Sequence, residues 1–251
     1  MKVAVVTPTI ASKTLQTCID SVKNQTYSDI IHYVFIDGTQ YKTVANLALE
    51  DAPKVSRVIL EDNVGQGWYG HRVYAACSFL VNADAICYLD EDNWFEPNHV
   101  EKLVSKLQEG NPWAYSLRKI VDKDGNFVCE DNCESLGKWP VYFNKDQYHI
   151  DTSSFIVRRD IAIRVGQTWY GQWGADRQFF NALKSSYPNF GCTHEHSLNY
   201  RLDGNPKSVT AEFFENGNAE NEKQYPNGYP WKAMQGKREE IVGPGITIVG
   251  A

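Results

Sequence analysis

Four short apolar runs, each stopping abruptly at polar residues, constrain this chain more than any other feature. Val3–Val6 ends at Thr7, Pro8 and Thr9, and Tyr33–Ile36 ends at Asp37, Gly38 and Thr39. Val55–Leu60 runs into a polar glycine loop that includes Asn63, Gly65 and Gly67, and Ile86–Leu89 stops at Asp90, Glu91 and Asp92. Continuous runs of this length, rich in β-branched and aromatic residues, read as strands covered on both faces. The segments between them carry apolar residues at helical spacing. Leu15, Ile19 and Val22 predict a helix from an N-cap at Ser12 to about Asn24. Thr43–Glu50 reads as a second helix, and Tyr69–Asn82 as a third with Val73, Ala76, Cys77 and Leu80 inward. Pro97 opens a fourth, His99–Glu109. This alternation predicts an α/β protein with a mainly parallel central sheet flanked by helices. Right-handed crossovers would bring all four strand ends to one edge, where open α/β sheets bind ligands.

The later sequence has a different texture. Trp113–Ile120 and Phe127–Val128 read as a hairpin around Asp124, Gly125 and Asn126. Glu130–Asp146 is irregular, Asp151–Val157 is a strand candidate, and Arg159–Val165 is helix-like. A Gly/aromatic loop, Trp169–Gly174, leads into a helix Ala175–Lys184 opened by Asp176. Beyond Gly204 the chain is rich in Asn, Gly and Pro and reads as loops, with a short helix near Trp231–Glu240 and a terminal strand Ile246–Val249. One domain with two halves, 1–110 and 111–203, and an extension, 204–251, is expected.

A formal net charge of -6 argues against binding nucleic acid mainly by neutralising phosphates. No apolar stretch reaches the roughly 18 residues of a membrane span, and the N-terminal run is too short for a secretory signal. Six cysteines in 251 residues make no dense framework, so reduced thiols in a cytoplasm are expected. The oligomeric state is not legible.

Asp90, Glu91 and Asp92 are the most informative acids. An isolated acidic triplet is usually a solvated turn. At the end of a buried strand, three consecutive carboxylates instead suit a hard divalent cation such as Mg2+, which takes one or two carboxylates together with substrate phosphates.

These residues together resemble the inverting family 2 glycosyltransferases of the GT-A fold. The resemblance is carried by Val3–Thr9, Cys18–Tyr27, Val34–Thr39, Asn63–Gly65 and the acidic triplet, and it extends to about Asp203. Order and spacing, not any single motif, make it specific. It implies a Rossmann-like nucleotide-sugar half, 1–110, and a mixed acceptor-side half, 111–203, with the tail as a lid or docking arm. It also implies a hexosyl- or pentosyltransferase whose donor is a nucleotide-diphosphate sugar, by expectation UDP-linked. Mn2+ or Mg2+ would be the cofactor and the hydroxyl of a glycan the acceptor.

In that resemblance Asp37 meets the base of the nucleotide, although the family more often has two acids where this chain has Ile36, Asp37 and Gly38. Thr7, Pro8, Thr9 and Asn63 join it around the nucleoside. Arg72 follows the glycine loop, where a planar fork suits diphosphate and base. Asp92 and Asp90 match the two acids of the DxD signature, Asp92 on the metal and Asp90 on ribose or a metal-bound water. Glu91 belongs to the same donor-side group, although in an extended chain it points the other way. Asp176 matches the general base, with Ala175 where Glu is common. An Asp of ordinary pKa, roughly 3.9, is ionised and ready at neutral pH. A helix N-cap would also account for an Asp there. His194 or His196 would be a further metal ligand, and Tyr200 and Arg201 match a common pair. Asp151–Ser154 falls on the acceptor side, where Trp169 and Trp173 are candidates to stack on sugar faces.

Other readings compete. Cys129, Cys133 and Cys192 with a nearby His are the ligand types of structural zinc, without the spacing of a tight knuckle. A nucleotidyltransferase would need a Gly-rich, Lys-bearing phosphate loop after the first strand, which is absent from the sequence. A non-catalytic sugar-binding descendant would tolerate loss of Asp92 or Asp176, and both are present. The same chemistry on a modified DNA base would call for a basic stripe beside Asp176, with Lys138, Lys145, Arg158 and Arg159 as candidates.

Overall fold

Every residue of β1 (Val3–Thr9) except Pro8 is buried, because this strand has a parallel neighbour on each side. In this computed structural model all residues are described except 51, 53, 204–207, 234–238, 242–245 and 249–251. After β1 come α1 (Leu15–Lys23), β2 (Ile30–Asp37), α2 (Lys42–Ala48), β3 (Val55–Leu60), α3 (His71–Leu80) and β4 (Ala85–Tyr88). Next come β5 (Trp94–Phe95), α4 (His99–Gln108), β6 (Trp113–Val121), β7 (Phe127–Glu130) and β8 (Phe155–Arg158). The chain continues with α5 (Arg159–Val165), α6 (Ala175–Ser186), β9 (Gly191–Arg201), α7 (Ala211–Gln224), α8 (Pro230–Ala233), β10 (Glu239–Ile241) and β11 (Ile246–Ile248).

One sheet runs in the order β3-β2-β1-β4-β8-β6-β9-β5, with β7 on β6. The first four strands are mutually parallel, so their carboxyl ends share one edge, as the strand–helix alternation predicts. From β8 onward the sheet is mixed: β8 is antiparallel to β4 and to β6, and β6 is parallel to β9. The two faces are packed by separate apolar clusters, one of them centred on Trp169 among Tyr74, Tyr88, Phe155 and Phe179. Among the described residues no helix is long and apolar enough to cross a membrane.

Several elements differ from the sequence expectation. α1 starts at Leu15 and not after Ser12, because Ser12 is held in the preceding loop, where its N–H donates to Glu91 Oε2 at 2.9 Å. Residues 152–154 form a 3-10 turn capped by Asp151, so β8 starts only at Phe155. β9 was not legible as a strand, since its polar residues Thr193, His194, His196, Ser197 and Asn199 are buried between neighbours.

The largest departure is α7, in a region that reads as loops. Thr210 caps it by accepting from the N–H of Phe213 at 3.3 Å. Its buried face is Phe214, Gly217 and Asn221, only one of them a large apolar residue, so no hydrophobic period betrays it. Gly217 permits the close approach: a Cβ there would meet Cys133 Sγ at 2.7 Å and the Tyr142 ring at 2.8 Å. Asn221 donates to the Asn132 carbonyl at 2.7 Å. Of the expected helix Trp231–Glu240, α8 covers Trp231–Ala233, 234–238 lie outside the described residues, and Glu239 begins β10. Of the expected terminal strand, 246–248 form β11 and 249 lies outside the described residues.

Candidate active site

At the shared edge, Asp37 ends β2 and is buried. Its Oδ1 accepts from the N–H of Val64 and its Oδ2 from that of Gly65, both at 2.8 Å. Gly65 has no room for a side chain, because a Cβ would lie 2.5 Å from Asp37 Oδ2. The carboxylate thus fixes the glycine loop against β2. Arg72, in the first turn of α3, donates from Nη1 to the Val64 carbonyl at 3.1 Å and lies 3.8 Å over the Trp68 ring and 5.5 Å from that of Tyr170. Arg72 Nε and Asn63 Oδ1 are both buried without a hydrogen-bond partner. Orphaned buried polar atoms of this kind mark a place where a ligand's polar groups are welcome. Pro8 packs beneath Gly70, where a Cβ would meet its ring at 3.1 Å. The hydroxyls of Thr7 and Thr9 are committed within the protein, Thr7 Oγ1 lying 2.9 Å from His32 Nε2 and Thr9 donating to Glu91 Oε2 at 2.6 Å. What these threonines can offer a ligand is backbone.

The acidic strand end splits three ways. Asp90 accepts from Tyr74 Oη at 2.8 Å and from Ser153 Oγ at 3.4 Å, while its own N–H donates to Ser153 Oγ at 3.1 Å. Glu91 is taken up by the β1–α1 loop, accepting from Thr9 Oγ1 and from the N–H groups of Ile10 and Ser12. Asp92 is held through its carbonyl, which accepts from Arg201 Nε at 3.0 Å. Burial first, then repulsion from Asp92 and Asp151, pushes the Asp90 carboxyl well above the usual carboxylate range. Burial, with Glu91 and Asp151 adding repulsion, pushes Asp92 up to about 6. Two half-buried carboxylates shifted upward in this way by desolvation and neighbouring negative charge fit a hard divalent cation, whose charge removes the penalty of ionising both.

His194 and His196 do not join that pair. Among the described residues no group of three or more His, Cys, Asp or Glu side chains is arranged to hold a metal. His194 Nδ1 lies 3.0 Å from the Trp231 carbonyl, and His196 Nδ1 lies 3.7 Å from Glu130 Oε1. His196 is four residues upstream of Tyr200, about 13 Å along a strand. Cys129, Cys133 and Cys192 likewise form no zinc site with a neighbouring His.

Across from Asp90, a cleft of about 570 Å³ contains Asp176, Asp151, Arg118, Tyr200 and Trp173 in its walls. Asp176 stands in the first turn of α6. Gly174, at φ +84°, occupies the N-cap position and offers no side-chain cap, so Asp176 lies two residues inside the helix. Asp176 Oδ1 accepts from the N–H of Arg177 at 2.7 Å, and Oδ2 lies 3.7 Å from Nε2 of the buried His149. Trp173 is 73% exposed, whereas Trp169 is fully buried against Phe179 and cannot stack on a ligand.

In the wall of this cleft lies an ion cluster centred on Arg118, which no sequence motif marks. Arg118, buried on β6, donates from Nε to Asp131 at 2.8 Å, from Nη1 to Asp151 at 2.7 Å and from Nη2 to Glu134 at 2.6 Å. Asp131 also accepts from the N–H groups of Cys133, Glu134 and Ser135, and the Arg118 charge with these bonds outweighs burial to hold its carboxyl below the usual range. Asp151 shifts upward despite the same arginine, because burial is the larger effect there and Asp176 adds repulsion. The available signal was Arg118 itself, a charge inside an apolar strand, which must find partners. The basic stripe that a DNA acceptor would call for does not line this cleft. Arg158 and Arg159 donate to the carbonyls of Leu107 and Ser78, and neither they nor Lys138 and Lys145 line it.

Residues 4–163 match the family model described as Glycosyl transferase family 2. No curated protein matches the chain. Among solved structures, a crystal structure of S. aureus TarS 1–349 superposes with a TM-score of 0.63 at 12% identity, covering 80% of this chain and 60% of that one. TarS 1–349 in complex with UDP-GlcNAc gives a TM-score of 0.61 at 13% identity, over 86% of this chain and 64% of that one. The complex with UDP gives 0.60 at 13% identity, over 94% and 68%. At such low identity the likeness is one of fold, and the chain spans 60% of the length of the first of these structures.

Proposed function

The chain belongs to the family 2 glycosyltransferases and has the GT-A fold, and from that premise we propose that it transfers a sugar from a nucleotide-diphosphate donor, UDP-linked, to the hydroxyl of a glycan, with inversion. The observation that carries this reading is that Asp90, at the end of β4, and Asp176, at the start of α6, face one cleft from opposite elements. TarS has been crystallised with UDP-GlcNAc and with UDP, which makes a UDP-sugar the first donor to try.

In this reading the glycine loop, Asp37, Asn63 and Arg72 hold the nucleoside and diphosphate. The backbone at Thr7, Pro8 and Thr9 completes the floor. Glu91 keeps the β1–α1 loop in place through Thr9, Ile10 and Ser12 and does not touch the donor. Asp92 and Asp90 would hold Mn2+ or Mg2+, which when bound neutralises charge growing on the departing diphosphate. Asp176 accepts the proton of the acceptor hydroxyl while that oxygen attacks the anomeric carbon. The bond from that carbon to the donor phosphate oxygen breaks, and the electron pair leaves with the nucleotide. Attack opposite the leaving group inverts the configuration, and one carboxylate base suffices.

Screening nucleotide sugars for Mn2+-dependent release of the nucleotide tests class and donor together. UDP released from a UDP-sugar is expected, and no release from any donor would overturn the reading. NMR of a glycoside product should show the anomeric configuration opposite to that of the donor; retention would contradict the single-base mechanism.

A further inference from the structure

We propose that the acceptor side of this cleft selects an uncharged, polyhydroxylated sugar ring seated on Trp173, and that it rejects acceptors bearing phosphate, sulfate or carboxylate near the reacting hydroxyl. The inference rests on the glycosyl-transfer reading above and adds to it the charge class of the acceptor and the residue that presents it.

Charge is the first argument. Four carboxylates, Asp90, Glu134, Asp151 and Asp176, line the cleft against two guanidinium groups, Arg118 and Arg177. Arg118 is buried and already spread over Asp131, Glu134 and Asp151. Arg177 lies 3.6 Å from Glu134 Oε1 and 5.0 Å over the Trp173 ring. An anionic acceptor would compete with these pairings and leave buried carboxylates uncompensated, which is among the costlier changes a protein interior can suffer. A sugar hydroxyl does the reverse. It donates to a carboxylate, which when ionised only accepts, and it carries no charge of its own.

The aromatic lining is the second. Single exposed apolar residues are ordinary, but Trp173, 73% exposed, and Tyr69, 65% exposed, both line the cleft that holds Asp176. Trp173 stands three residues before Asp176, on the approach to α6, so a ring resting on it is delivered beside the base. The face of an indole is electron-rich and attracts the C–H hydrogens of a pyranose face, while the hydroxyls at the ring's edge remain free for the carboxylates. Arg177 braces the indole, which limits the freedom lost when a ligand docks.

The test pairs neutral oligosaccharides with their sulfated or uronic-acid counterparts in transfer assays and on a glycan array, with Mn2+ and UDP present. Neutral glycans should be retained and used with at least tenfold higher kcat/KM than the charged counterparts. Trp173→Ala should raise the acceptor KM about tenfold more than the donor KM, matching a stacking contribution near 1.4 kcal/mol, and Trp173→Phe should recover most of it. Equal or preferential use of charged acceptors, or an acceptor KM unmoved in Trp173→Ala, would overturn the proposal. So would the absence of any glycan binding while donor hydrolysis persists. Absence of Mn2+-dependent donor hydrolysis would count against the glycosyl-transfer reading itself, which separates the two failures.

Discussion

The Tyr74 hydroxyl donates a 2.8 Å hydrogen bond to Asp90 Oδ1, joining the middle of α3 to the end of β4. Tyr74 is fully buried, edge-on to Tyr88 and packed against Trp169, so the aromatic core holds its hydroxyl in place. The orientation of an acid at the strand edge is therefore set by a residue on the helix behind it.

Tyr74→Phe keeps the ring and removes this bond. Losing the partner that orients a metal-binding carboxylate typically costs tenfold or more in metal affinity. The apparent affinity for Mn2+, read from Mn2+-dependent stabilisation by UDP in thermal melts, should fall by about tenfold. An unchanged Mn2+ titration would remove Tyr74 from the donor site.

Asp92→Ala should abolish most of the rise in Tm produced by Mn2+ with UDP, since a ligand stabilises only through the folded state that binds it. Without metal, the variant should be no less stable than the parent. Asp92 is a half-buried carboxylate whose pKa is pushed up to about 6, so ionising it at neutral pH works against folding. Its carbonyl bond to Arg201 survives the substitution. A metal-dependent shift as large as that of the parent would end the assignment.

Asp176→Asn preserves the shape of the first turn of α6 and removes the base. Donor binding should persist while transfer falls by about 10²- to 10⁴-fold, the usual worth of a positioned general base. Transfer at the parental rate would exclude Asp176 from proton removal.

Arg118→Met should destabilise the fold by about 3–5 kcal/mol at pH 7, as measured by urea unfolding, because Asp131, Glu134 and Asp151 lose their shared cation. The sign of the pH dependence follows from Asp131. Its folded pKa lies below its unfolded value of roughly 3.9, so its contribution is complete above that value. The contribution is lost as pH falls through the lower folded pKa. The gap between parent and variant should accordingly be widest near neutrality and narrow in acid. A gap independent of pH would mean that Arg118 acts only through packing.

Much of the first half was legible because its signals are local. Strand runs that stop at polar residues, helical spacing between them and the parallel alternation predicted β1 to β4 and their common edge. α7 escaped because its buried face of Phe214, Gly217 and Asn221 answers to the shape of Cys133, Tyr142 and Asn132 and not to hydrophobic period. β9 escaped because polar side chains buried between strands look like a loop in sequence. The surroundings of His194 and His196 were not legible either, since their neighbours, the Trp231 carbonyl and the Glu130 carboxylate, come from distant segments.

By itself, then, the sequence determined the class of fold, the edge at which four strand ends meet and the family whose motifs occupy that edge. These follow from periodicity and from the order of short motifs, which are properties of neighbouring residues. Only the tertiary structure decided how three consecutive acids divide: Asp90 to Tyr74 and Ser153, Glu91 to the β1–α1 loop, Asp92 held by its carbonyl to Arg201. It alone gathered Arg118 with Asp131, Glu134 and Asp151 at the wall of the cleft. Those outcomes depend on which side chains from distant segments come within hydrogen-bond reach and on how far burial raises the cost of leaving a charge unpaired, and neither quantity exists until the chain has closed on itself.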